Sequence, residues 1–111
     1  MRLAYAIKFV ADMDVAIVFH RDTLGLSLKF QSPFWSEFET GETALALHPA
    51  SEHNPAGSVQ LGYHAADLDA LYAARDANGL IFTQPPVSQH GSKLARFAGS
   101  EGEECSLGEA I

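Results

Sequence analysis

The sequence predicts an α+β chain built from two β-α-β-β-β modules in tandem, and three observations carry that prediction. The first is a duplicated helix start: Val10-Ala11-Asp12-Met13-Asp14 is matched by Ala65-Ala66-Asp67-Leu68-Asp69. The second is a duplicated helix end: Arg21-Asp22-Thr23-Leu24-Gly25-Leu26 is matched by Arg75-Asp76-Ala77-Asn78-Gly79-Leu80. The third is a set of short strand-like apolar runs before and after each pair. Asp12 to Gly25 is one residue longer than Asp67 to Gly79, so one residue is gained or lost inside the connecting helix. Two copies of one supersecondary unit imply modules related by a pseudo-twofold axis, with the cleft between them as the expected place for a site.

Each element has a local reason. Arg2 to Val10 is a short apolar run with strand character. Asp12 caps the helix that follows, because its carboxylate can accept from free amides of the first turn, and Asp14 suits the positive end of the helix dipole. Met13, Ala16, Ile17, His20 and Leu24 recur at helical spacing and are expected to face the sheet. Gly25 stops the helix in the left-handed conformation that glycine favours. Strands are expected at Leu26–Gln31, Phe34–Thr40 and Thr43–His48, with Pro33 and Gly41 at the turns. The stretch 49–58 is rich in Pro, Ala and Ser and reads as a linker between a first module, 1–48, and a second, 59–111, within one structural domain. The second module repeats the order: a strand over Val59–Ala65, a helix from Asp67 to about Asn78, and strands near Leu80–Thr83, Lys93–Ala98 and Glu103–Leu107. Pro85 and Pro86 are expected to hold its longest loop.

Composition bounds the function. A chain of 111 residues with 47% hydrophobic and 19% charged residues can bury a core without disulfides or metals. Its single cysteine, Cys105, has no intrachain partner, which suits a reducing cytoplasm. The first residues alternate like a strand rather than a signal peptide, and no apolar run reaches the roughly 20 residues that span a bilayer. No membrane role is therefore expected. A net charge of −7 argues against nucleic acid, whose phosphates call for a basic stripe.

The ordered series Val10-x-Asp12-Met13, Phe19-His20-Arg21-Asp22-Thr23-Leu24-Gly25-Leu26, Leu45-Ala46-Leu47-His48-Pro49, Val59-Gln60-Leu61-Gly62-Tyr63, Asp67-Leu68-Asp69 and Phe82-Thr83-Gln84-Pro85-Pro86 resembles the vicinal oxygen chelate superfamily. That superfamily includes glyoxalase I, extradiol dioxygenases, and fosfomycin- and bleomycin-resistance proteins. The resemblance implies strongly curved mixed sheets, a cavity enclosed by paired modules, and helices outside. It also implies a metal centre in the enzymes, with ligands on the first and last strands of each module. Those positions correspond here to Tyr5, Ala46, Gln60 and Ser106. Alanine cannot coordinate, and serine and an amide are poor ligands for a divalent ion. No metal and no other cofactor is therefore expected.

Strand parity names the expected ligand-binding residues. Tyr5, Ile7 and Phe9 share one face of the first strand, Gln60, Gly62 and His64 answer to them in the second module, and Ala46 and Ser106 lie on the closing strands. Two rings, small floors and a few hydrogen-bonding groups are the constitution of a small-molecule site. Trp35, the sole tryptophan, is a stacking candidate or a core anchor. His64 is the histidine of interest for the pocket; His20 reads as core, His48 as rim, and His53 and His90 as solvated loop residues. Arg96 could meet an anionic group, and Glu37 and Glu39 read as the polar face of a strand. Cys105 reads as a small buried hydrophobe, since neighbouring glutamates oppose a thiolate. No catalytic residue is assigned. The expected function is metal-independent binding of a small aromatic or cationic molecule, in the manner of bleomycin-resistance proteins, by a homodimer. The alternative is a glyoxalase-like lyase, isomerase or dioxygenase with an unusual or absent metal site.

Overall fold

Asp12 and Asp67 start the two helices in the same way. Both adopt extended backbone, with φ −135° and −140°, and each carboxylate accepts from the amide three residues on, Val15 at 3.1 Å and Ala70 at 3.0 Å. These caps fix matching strand-to-helix turns in a computed structural model that describes residues 1–89 and 91–109. His90 lies outside the described residues.

The element order is β1 (Arg2–Val10), α1 (Met13–Val18), β2 (Ser27–Phe30), β3 (Ser36–Glu39), β4 (Ala44–Pro49), β5 (Val59–Ala65), α2 (Leu68–Ala73), α3 (Arg75–Asn78), β6 (Phe82–Gln89), β7 (Ser92–Ala98) and β8 (Glu104–Glu109). The class is α+β, and the β-α-β-β-β plan occurs twice. The chain forms two compact units: an N-terminal unit, Ala4–Gln60, and a C-terminal unit, Met1–Leu3 with the residues from Leu61 onward.

In the N-terminal unit the strands run β2-β3-β4-β1, antiparallel except for the parallel pair β1–β4, which sets Ile7 opposite Ala46 and Phe9 opposite His48. One sheet face packs on α1 through Val10, Ile17, Phe38 and Leu47. The C-terminal unit repeats this arrangement as β6-β7-β8-β5, with β5 and β8 parallel and Gly62 opposite Ser106. Its core joins Ala65, Leu68, Ala95, Phe97, Cys105 and Leu107.

The extra residue of the first copy is visible as geometry. After α1 the chain makes a π-helical turn over Phe19–Thr23, in which the Leu24 amide reaches back five residues to the Phe19 carbonyl at 3.1 Å. A π turn absorbs one residue into a helix without moving its ends. The second copy instead breaks at Ala74 (φ −90°, ψ 7°) before α3, and Gly25 and Gly79 both end their segments at positive φ, 73° and 70°. The π turn also rotates Leu24 away from the sheet, where helical spacing had placed it; its side chain is exposed. His20 does face the sheet: it is buried, its Nδ1 lies 2.7 Å from the Ala16 carbonyl oxygen, and its ring lies 5.7 Å from that of Phe38.

One further expectation changes. Pro85 and Pro86 lie within β6, an outer strand bound only to β7 in this unit, rather than in a loop. The pairing slips between Gln84 and Val87, and a proline that cannot donate is tolerated at such an irregular outer position. The segment 49–58 is fastened to the N-terminal unit. Ala50 donates to the Val10 carbonyl at 2.8 Å, Gly57 to the Phe9 carbonyl at 2.8 Å, and Phe9 to the Ser58 carbonyl at 3.0 Å.

Candidate functional site

Because side chains alternate across a strand, the face of the N-terminal sheet opposite α1 carries Tyr5, Ile7 and Phe9 from β1, Ala46 and His48 from β4, and Glu37 from β3. Ile7, Phe9 and Ala46 are buried together, and Tyr5, Trp35 and Ala50 pack against them. Four rings form a connected edge-to-face series: Tyr5–Trp35 at 5.4 Å, Trp35–His48 at 6.4 Å and His48–Phe9 at 5.5 Å between centroids. Such contacts fix ring orientation and contribute about 0.5–1.5 kcal/mol each beyond buried area.

Trp35 is held at both ends. The Ser32 hydroxyl accepts from its amide at 3.0 Å and donates to its carbonyl at 2.8 Å, shaping the turn so that β3 begins only at Ser36. Its indole N–H donates to Glu37 Oε2 at 2.7 Å. Glu37 is therefore not simply the polar side of a strand. It stands opposite Ala46 in register and beside the rings. Sequence reading missed it, although the signal was present: residue 37 follows Trp35 by the two-residue strand period.

In the C-terminal unit, Gly62, Ser106, Arg96 and Gln84 pair in succession across β5, β8, β7 and β6, and His64, Gly108 and Leu94 form the next row. This is the face opposite Phe97, Cys105 and Leu107. The His64 ring lies against Gly108, where a Cβ would come 3.3 Å from Cδ2 and 3.5 Å from Nε2. Arg96 Nη1 is 3.5 Å from Glu104 Oε1, and Glu104 Oε2 accepts from Thr83 at 3.2 Å. Burial pushes the Cys105 thiol up from its ordinary value, and the charges of Glu103 and Glu104 add to that effect. It is a packing residue.

The expected site residues thus divide by unit. Tyr5, Ile7, Phe9, Trp35 and Ala46 come together in the N-terminal unit. Gly62, His64 and Ser106 come together in the C-terminal unit, and Gln60 lies on β5 at the end of the N-terminal unit. A separate groove of about 440 Å³ beside the start of α1, lined by Asp12, Met13, Asp14, Gln31, Ser32 and Pro33, contains none of them.

The donor set at the four positions of the implied metal centre is a phenol, a methyl group, an amide and a hydroxyl, which does not fit a divalent ion. Among the described residues, no three His, Cys, Asp or Glu side chains come together in a way that could hold one.

The sequence model of the Glyoxalase/Bleomycin resistance protein/Dioxygenase superfamily matches residues 2–104. No curated protein matches the chain. Among solved structures, the methylmalonyl-CoA epimerase from Mycobacterium tuberculosis is similar at 20% identity and TM-score 0.78, over 98% of this chain and 87% of that one. The NAD-dependent benzaldehyde dehydrogenase from Legionella pneumophila is similar at 13% identity and TM-score 0.77, over 96% and 98%. A glyoxalase/bleomycin resistance protein/dioxygenase superfamily member from Vibrio splendidus 12B01 is similar at 17% identity and TM-score 0.65, over 99% and 98%. At these identities the likeness is one of fold.

Proposed function

The chain belongs to the Glyoxalase/Bleomycin resistance protein/Dioxygenase superfamily, and on that premise we propose that it binds a small aromatic cation without a metal, sequestering rather than transforming it. The observation that carries this reading is the ring series Tyr5–Trp35–His48–Phe9 with the Glu37 carboxylate fixed by the Trp35 indole N–H at 2.7 Å. Aromatic faces attract a cation through their quadrupole, and a nearby carboxylate adds direct charge attraction. Ile7 and Ala46 supply a close-packed apolar floor. Bleomycin-resistance-like sequestration follows the same chemistry, since it requires contact area and charge complementarity but no reacting group.

Calorimetry with matched aromatic ligands tests the reading. An aryl trimethylammonium ion should bind more tightly than its neutral tert-butyl isostere, and Glu37→Gln should erase most of that difference. Equal affinity for both ligands would leave the carboxylate without a role. Phe9→Ala should weaken both ligands alike, because it removes contact area and no charge.

The same reading includes a cytoplasmic homodimer. Among the described residues no helix is long and apolar enough to cross a membrane, and the free Cys105 is buried. Light scattering at micromolar concentration should return twice the 12.0 kDa chain mass; the chain mass itself would remove the dimer and leave the binding proposal standing.

A further inference from the structure

The Glu37 carboxylate has one oxygen committed and one open. Oε2 accepts from the Trp35 indole N–H at 2.7 Å. Oε1 accepts from no described residue, and because no buried side-chain oxygen among the described residues lacks a partner, it reaches solvent. The indole N–H is the one polar group of a tryptophan, so Trp35 has no further donor to offer. His48, the ring next to Trp35, presents an acceptor as well. A carbonyl only accepts, so the 2.9 Å contact between Nδ1 and the Pro49 oxygen puts the proton on Nδ1 and leaves the lone pair of the neutral ring on Nε2.

A slip in the sheet adds a ring beside Glu37. Leu28 pairs with Phe38 and packs toward α1, and a regular two-residue period would send Phe30 the same way. The register shifts between them, so Phe30 instead stands opposite Glu37 and shares its face. Irregularities of this kind re-aim side chains. Side chains directly opposite each other in an antiparallel pair lie about 4.5–5.5 Å apart at Cβ. The half-exposed Phe30 ring therefore borders the carboxylate from β2, while Trp35 holds it from its own side of the chain.

We propose that the aromatic cation assigned above to this face, a reading on which this one rests, carries its charge as a primary ammonium group: an arylalkylamine that donates N–H to Glu37 Oε1, with the Phe30 ring alongside. Rings alone attract any organic cation through their quadrupole. Only an N–H adds a charge-assisted hydrogen bond to the open carboxylate oxygen, and each methyl group that replaces one removes a donor. A primary ammonium also gives up more water on binding, so the gain is the surplus of that bond over its desolvation.

Calorimetry at neutral pH with benzylammonium, its N-methyl and N,N-dimethyl derivatives and benzyltrimethylammonium tests this, because each carries one positive charge and they differ in the number of N–H groups. Affinity should fall along the series, about tenfold from first to last, against the increase in apolar area. Glu37→Gln should level the series. Glu39→Gln, which changes an exposed carboxylate two residues along the same strand, should leave the order intact. Phe30→Ala should weaken every member alike. A flat or inverted order in the wild-type protein overturns the ammonium assignment. In that case the aromatic-cation reading survives if benzyltrimethylammonium outbinds its neutral isostere, neopentylbenzene, and falls with it otherwise. An order that persists in Glu37→Gln, or that is lost in Glu39→Gln, also overturns the assignment. If Glu37→Gln fails to fold by circular dichroism, carbon NMR of the labelled full chain decides. Benzylammonium should shift the Glu37 carboxyl carbon saturably and further than benzyltrimethylammonium does; an unmoved carboxyl signal overturns the site.

Discussion

The two units bury closely similar faces and differ on the opposite ones. Beneath α1 the N-terminal sheet packs Val10, Phe38 and Leu47, and beneath α2 the C-terminal sheet packs Ala65, Phe97 and Leu107. On the other faces the N-terminal unit carries Tyr5, Phe9, Trp35 and His48, whereas the C-terminal unit carries Gly62, His64, Arg96 and Ser106. The register is the same in both, since Ile7 faces Ala46 as Gly62 faces Ser106. A shared backbone plan therefore constrains the helix-side packing closely and leaves the other face open to different chemistry. Ring contacts organise one such face and hydrogen-bonding groups the other.

The comparison can be broken first at the cores. Phe38→Ala should cost about 3–5 kcal/mol and Leu107→Ala about 2–5 kcal/mol by chemical denaturation, as both side chains are fully buried. A loss well under this range in one unit alone would mean that the cores are not equivalent. Next come the faces. Phe9→Ala should weaken binding of an aromatic ligand, with the folding cost of a buried aromatic, about 3–5 kcal/mol, as a ceiling. Glu37→Gln should cost an aromatic cation about tenfold in affinity, ~1.4 kcal/mol.

Smaller effects lie at the helix starts. Asp12→Ala and Asp67→Ala should each destabilise within about 0.5–2 kcal/mol. The second should fall lower in that range, because Glu109 Oε1 still accepts from the Leu68 amide at 3.1 Å. The smallest is a pH effect confined to the C-terminal core. Burial raises the Cys105 thiol, so the folded state holds its proton more tightly than the unfolded chain does. The associated stability is fully present below the unfolded value, about 8.5, and is lost as pH rises through the folded one. Cys105→Ala should flatten that part of a stability–pH profile recorded by thermal melting; an unchanged slope would assign it to other groups.

How much of this was legible in the sequence follows from where local rules dominate. The capping aspartates, the helix-ending glycines and strand β5 could be read because each depends on a few neighbouring residues. The one-residue difference between the copies was countable, but its form was not: a π turn and a break at Ala74 are alternative ways to fit a sheet that local sequence does not describe. Pro85 and Pro86 were misplaced because proline argues against an inner strand and says little about an outer one with an irregular register. Glu37 was overlooked because an acidic residue in a strand is most simply a solvated one. Its role emerges only when register sets it opposite Ala46 and the indole N–H reaches its oxygen. Tyr5, Ile7, Phe9 and Ala46 share a face by parity alone, and parity is a backbone property.

The most direct test of the central claim uses Trp35 itself, the only tryptophan in the chain. Its fluorescence, excited selectively, should change saturably on titration with meta-hydroxyphenyltrimethylammonium. The neutral isostere meta-tert-butylphenol should bind more weakly, and Glu37→Gln should bring the two affinities together. An unchanged Trp35 signal while calorimetry records binding would place the ligand away from the aromatic face of the N-terminal unit and contradict the account.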